Sequence, residues 1–181
     1  MTSDAPGAGH DPFDTLGLAP RFDLTAAEVE RAFLQRSALS HPDRAGAPGA
    51  QTASAQLSAA KRMLIDPEAR AGALLARLHR RSGVPTRPAD ERALPEGFLM
   101  EIMALREQAE GARSAGDDAA LARAVEGAQA RREAHIARAG ELLAGASDDP
   151  TPANLRACRL ELNAWRYIER MLSQLDTEGL A

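Results

Sequence analysis

The residue types best able to do chemistry converge at one place, Ser40-His41-Pro42-Asp43-Arg44. Pro42 fixes its own φ and cannot donate a backbone hydrogen bond. His41 brings a ring donor and acceptor, and Asp43 an ionised acceptor. On a surface turn these groups make a recognition tip, where Asp43 can take a partner's arginine through a charge-assisted, bidentate hydrogen bond. The same tripeptide also describes a proline-terminated helix followed by an incidental aspartate, and the residues alone leave both readings open. Other chemistries lack their residues. Lys61 has no glycine loop before it and no Ser or Thr after it, and neither a GxSxG elbow nor an HExxH pair is present. Cys158 is the single thiol; as a nucleophile it would define a thiol enzyme, but its place on an apolar seam reads as a small buried hydrophobe. His10, His79 and His135 are isolated in sequence and receive no role. With no CxxC and one cysteine, neither an internal disulfide nor a structural zinc is expected, and a reducing compartment is favoured.

The tip needs helices on both sides, and the composition supplies them. Of 181 residues, 39 are alanine and only six are aromatic, a mix that favours helix over strand. Residues 1–10 read as a solvated leader. Asp11-Pro12-Phe13 opens a short helix with Leu16 and Leu18 as anchors. Thr25 with Glu28 forms a capping-box signature for a second helix, which runs to Ser40 and stops at His41-Pro42. Two further helices are expected over Gln51 to Ile65 and Glu68 to Arg81. Residues 82–95, with three prolines, have the composition of a connector. Long helices follow over Pro95 to Ser114, Asp118 to Leu143 and Thr151 to Asp176, and short loops between them predict a three-helix bundle. The fold class is therefore all-α, with units at 11–81 and 96–176.

A net charge of −4, built from 21 arginines and one lysine against 26 acids, argues against nucleic acid as a partner. No apolar run is long enough to span a bilayer, and the first twenty residues resemble neither a secretory signal nor a mitochondrial presequence. These features predict a cytoplasmic protein with no membrane partner.

A second signal lies at residues 98–112. At about 100° per residue, Phe98, Ile102, Leu105, Ala109 and Ala112 share one arc, enough for a bundle core. Leu99, Met100 and Met103 fall on the opposite side with Glu107 and Glu110. An apolar patch fringed by acid marks an interaction site, and methionine adapts to a partner's shape; the alternative is that the helix is sandwiched and both faces are buried. In the last helix Leu155, Cys158, Leu162, Trp165, Ile168, Leu172 and Leu175 form the seam. Leu160, Tyr167 and Met171 form a stripe on another face.

The His-Pro-Asp turn between two amphipathic helices, preceded by the Phe13-to-Leu18 helix, resembles the J-domain of co-chaperones that drive seventy-kilodalton heat-shock chaperones. Leu57, Ala60, Leu64, Asp66-Pro67, Arg70-Ala71 and Leu74-Leu75 continue the likeness toward HscB-type co-chaperones of iron–sulfur cluster assembly. Phe98-Leu99-Met100-Glu101 followed by Leu105-Arg106-Glu107 is similar to the segment with which that family binds the scaffold protein IscU. The resemblance implies a J-domain, a helical hairpin carrying the His-Pro-Asp loop, followed by a scaffold-binding bundle. It implies that His41, Pro42 and Asp43, with Arg31 and Arg36 on the preceding helix, engage an HscA-like chaperone and stimulate its ATPase. Leu99, Met100, Met103, Glu107 and Tyr167 would contact an IscU-like scaffold. No catalysis, metal or cofactor of the chain's own is implied. Arg36, Ser40, Lys61 and Ala73 stand where relatives carry larger apolar or aromatic side chains, which predicts a less stable J-domain. Ala104 and Gly111 replace acids beside the scaffold segment, which predicts a weaker electrostatic part of that contact. A J-protein with another client, and a helical adaptor with an incidental turn, are the alternatives.

Overall fold

The structure is a computed structural model that describes residues 11–39 and 50–178. The leader at 1–10 and the turn bearing His41, Pro42 and Asp43 lie outside the described residues. Within them are seven α-helices: α1 (Pro12–Leu16), α2 (Ala26–Leu39), α3 (Ala50–Ile65), α4 (Pro67–Ser82), α5 (Phe98–Ala115), α6 (Asp118–Asp148) and α7 (Pro152–Glu178). No strand occurs among the described residues, as the composition requires. The chain divides into two compact units between Arg77 and Leu78.

In the first unit the Asp11 carboxylate accepts the Phe13 N–H at 3.0 Å and so caps α1. The helix closes at Gly17, where φ is 68°, a left-handed conformation that favours glycine. The capping box of α2 forms as its residues predict: Thr25 N–H donates to Glu28 Oε2 at 2.8 Å, and Glu28 N–H donates to Thr25 Oγ1 at 3.2 Å. The Thr25 backbone N–H, followed by its hydroxyl, holds the Glu28 carboxyl below the usual range. A depressed carboxyl stabilises the folded state above its unfolded pKa, and that contribution is lost as pH falls through the lower folded value. Both α1 and α2 pack on α3. Phe13, Leu16, Val29, Leu57, Leu64 and Leu75 fill the centre, each large side chain contributing about 1.5–3 kcal/mol.

Two basic residues, Lys61 and Arg70, add polar contacts to this core. Lys61 Nζ lies 4.6 Å from the centre of the Phe33 ring and 2.6 Å from Glu30 Oε2, using a cation–π contact and an ion pair in place of apolar packing. Arg70 is buried, donates to the carbonyls of Leu64 at 2.6 Å and Phe22 at 2.8 Å, and lies over the Phe22 ring. Burial pushes its pKa down from the arginine value. Hydrogen bonds from a charged donor contribute about 1.5–3 kcal/mol each, so this one side chain ties the loop before α2 to the α3–α4 junction.

In the second unit α5 and α7 both pack against α6. Asp117 caps α6 by accepting the Ala120 N–H at 2.9 Å. That helix passes the expected end at Leu143 and stops at Asp148, because Gly145 is tolerated inside it and the arrest waits for Pro150. Helix α5 starts at Phe98 rather than Pro95, behind Gly97 at φ 79°. Its buried residues are Phe98, Ile102, Leu105, Ala109 and Ala112, the arc read from periodicity. Met171 departs from expectation. It is 1% exposed, part of the cluster with Phe98, Ile102, Leu105 and Ala128, whereas the sequence put it on a separate stripe with Leu160 and Tyr167. A helix with neighbours on two sides buries a wider arc than one seam.

Residues 84–95 lie along α7. Pro88–Asp90 forms a single 3₁₀ turn, and Asn163 Nδ2 donates to the carbonyls of Asp90 at 3.0 Å and Ala93 at 2.8 Å. Arg156 Nε donates to Asp90 Oδ1 at 3.0 Å.

Candidate functional site

The strongest surface feature of the second unit is the outward side of α5. Leu99 is 52% exposed, Met100 76% and Met103 61%, on a helix whose other side is fully buried. Leaving three large apolar side chains in water forgoes about 25 cal/mol per Å² of potential burial, and no packing within the unit recovers it. Glu107 is exposed on the same side.

Tyr167 reaches this helix from α7. Its ring meets Phe98 edge-on, with centroids 5.6 Å apart and planes at 87°, and it is partly buried against the core cluster. Phe98 is held from its other flank by His135, at 5.5 Å and 78°. His135 Nδ1 in turn is bonded to Glu161. Imidazole, phenyl and phenol rings thus fix the start of α5 against the bundle. Arg106 joins the helices further along, donating to Gln174 Oε1 at 2.9 Å. The guanidinium carbons of Arg106 and Arg170 each lie 6.0 Å from the centre of the Tyr167 ring. At about 100° per residue, Arg106 occupies the α7 shoulder of α5, and Leu99 and Met103 come next around the helix. Met100 and Glu107 lie further out. Beside Leu99 and Met100 a groove of about 340 Å³ opens between α5 and the segment at Arg92, Leu94 and Pro95. Such a surface can clamp an apolar partner segment, with the groove for a side-chain anchor and a charged rim to set its register.

Five sequence-named residues are therefore placed as follows: Leu99, Met100, Met103 and Glu107 are exposed on α5, and Tyr167 stands half-buried beside it. Arg106 and Arg170 at the rim, and His135 beneath it, were not assigned a role from sequence. Only for Arg106 was there a signal, since it lies seven residues after Leu99, about two helical turns. In the first unit Arg31 and Arg36 are both exposed on α2. The acids of the same helix are engaged by other partners: Glu28 holds Arg21 at 2.6 Å and Thr25, and Glu30 holds Lys61.

Cys158 is fully buried, and burial pushes its thiol up to about 11. At neutral pH almost none is thiolate, which removes the thiol-nucleophile reading. Iodoacetamide is expected to leave the native protein unmodified, with full modification only in denaturant, as read by mass spectrometry. Rapid labelling of native protein would contradict the packing of α7.

A DnaJ domain model matches residues 11–72, and a model described as the HSCB C-terminal oligomerisation domain matches residues 94–176. The co-chaperone protein HscB homolog of Bordetella petrii is 31% identical over 176 residues, covering 93% of this chain and 95% of the relative. The chain belongs to the HscB co-chaperone family. The HscB homolog of Burkholderia mallei is 32% identical over 172 residues, covering 92% of each chain. Among solved structures, HscB from Vibrio cholerae aligns with a TM-score of 0.59 at 24% identity, covering 91% of this chain and 99% of that one. Human co-chaperone protein HscB aligns with a TM-score of 0.69 at 19% identity, covering 97% and 85%. At these identities the two structures establish the fold: an HscB-type J-domain followed by a helical domain. The α5 patch and Tyr167 lie in the HscB carboxy-terminal region, and α2 in the J-domain. No described helix is long and apolar enough to cross a membrane.

Proposed function

We propose that this HscB-family chain binds an IscU-like iron–sulfur scaffold protein through Leu99, Met100, Met103, Glu107 and Tyr167 and delivers it to an HscA-like heat-shock chaperone. His41, Pro42 and Asp43, supported by Arg31 and Arg36, engage that chaperone and stimulate its ATPase. The observation that carries the scaffold half is the exposed Leu99, Met100 and Met103 triad on a helix otherwise committed to the core. The chaperone half rests on the sequence of the turn and on membership of a co-chaperone family. Chemically the chain acts by tethering. Joining a client site and a chaperone site in one molecule raises their effective mutual concentration without requiring a change of shape. We place the J-domain at 11–81, a connector at 82–95 and the scaffold-binding domain at 96–176, with the cytoplasm as the working compartment.

The scaffold half is tested by calorimetric titration of the purified IscU-like scaffold from the same organism into the full chain. Saturable one-to-one binding with a negative heat-capacity change is expected, the signature of apolar burial. Absence of binding at any accessible concentration would redirect the reading to a J-protein with another client.

A further inference from the structure

The sulfur atoms of this chain, in five methionines and one cysteine, lie in two kinds of place. Cys158 and Met171 are packed inside the second unit, 0% and 1% exposed. Met100 and Met103 stand in water on α5, and Met63 on α3 is 43% exposed. Met1 lies outside the described residues. A solvent oxidant ordinarily meets a thiolate first, but burial pushes the Cys158 thiol up to about 11 and leaves almost none. The most accessible oxidisable sulfur among the described residues is therefore the thioether pair on α5.

The pair sits where a change of polarity alters binding without altering the fold. Three residues apart on one helix, Met100 and Met103 share a side with Leu99, while the core of the unit is filled from the other side by Phe98, Ile102 and Leu105. Adding oxygen to a thioether turns a flexible apolar side chain into a polar one. In water the new acceptor is hydrated, and the unit is indifferent to it. Beneath an apolar partner segment it loses that water without gaining a donor, which opposes association. Methionine, chosen for its adaptability at such a surface, thus brings a chemical liability that leucine does not.

We propose that Met100 and Met103 form a peroxide-sensitive modification site whose oxidation to the sulfoxide releases the scaffold protein, an inference that rests on the reading of α5 as the scaffold surface. At each methionine a sulfur lone pair attacks one oxygen of hydrogen peroxide, and an S–O bond forms as the O–O bond breaks. The departing hydroxide takes the proton of the transferred oxygen and leaves as water. Sulfur gives up two electrons, and the peroxide accepts them. A methionine sulfoxide reductase reverses the change: a dithiol supplies two electrons and becomes a disulfide, and the oxygen leaves as water. Delivery of the scaffold is suspended under peroxide and restored afterwards in the same molecule.

The test treats the full chain with hydrogen peroxide, removes the oxidant with catalase, locates sulfoxides by peptide mass spectrometry and then titrates untreated scaffold calorimetrically. Oxidation is expected at Met100 and Met103 ahead of Met63, with Met171 unmodified. Scaffold affinity should fall by about tenfold or more, the effect of a buried polar group left unpaired. The melting temperature should not change, and affinity should return after treatment with reductases for both sulfoxide epimers. Met63→Leu should lose affinity on oxidation as the wild type does. In Met100→Leu combined with Met103→Leu, affinity after peroxide should equal affinity before it, whatever that starting value is. Equal affinity of the reduced and oxidised wild-type chains, the same loss in the double-leucine variant, or oxidation of Met171 as early as Met100 would overturn the site. Failure of the reduced chain to bind scaffold would overturn the α5 reading and the switch with it.

Discussion

Met100→Ala combined with Met103→Ala is expected to weaken binding of the scaffold protein by about a hundredfold while leaving the fold intact. The two side chains are 76% and 61% exposed, so the unit gains little from them; surface truncations of this kind shift stability by about 0.5 kcal/mol or less. On binding they would be the adaptable anchors of the clamp. Truncating an interface anchor costs roughly 1–2 kcal/mol, and about 2.8 kcal/mol for the pair corresponds to the stated factor. Calorimetric titration with the wild-type and variant chains, alongside thermal melts, reads both quantities. Unchanged affinity would remove α5 from the scaffold interface, and a lowered melting temperature would mean that the methionines are core.

His41→Gln is expected to abolish stimulation of the heat-shock chaperone's ATPase, with scaffold affinity unchanged. Glutamine keeps a donor and an acceptor but loses the rigid ring that sets their directions next to Pro42. A partner site built around the imidazole would then face misplaced polar groups, which costs tenfold or more, on the order of 1.4 kcal/mol. The steady-state ATPase rate measures this. Full stimulation by His41→Gln would make the turn incidental and favour the adaptor reading. Loss of scaffold binding in the same variant would contradict the modular division between chaperone-facing and client-facing residues.

What the sequence made legible follows from the range of the forces involved. The α5 core arc from Phe98 to Ala112 and the α7 seam from Leu155 to Leu172 are periodic, and each is buried in the structure. Caps at Asp11 and Thr25 act within three residues, so local sequence reveals them. Met171 was misplaced because periodicity marks where a helix is apolar without telling how many neighbours it has. The Arg70 bond to the Phe22 carbonyl spans 48 positions, and the Asn163 bond to the Asp90 carbonyl spans 73. No local pattern announces a polar side chain that is satisfied so far away. For the site, the exposed triad on α5 was readable as apolar residues opposite a core arc. The ring stack of His135, Phe98 and Tyr167 was not, since it joins three different helices.

The central claim is that one chain couples client and chaperone. It is tested most directly by the steady-state ATPase rate of the organism's HscA-like chaperone with this protein alone, with the scaffold alone, and with both. Tethering predicts stimulation by both together that exceeds the sum of the separate effects and disappears in His41→Gln. Stimulation by this protein that is indifferent to scaffold would contradict it.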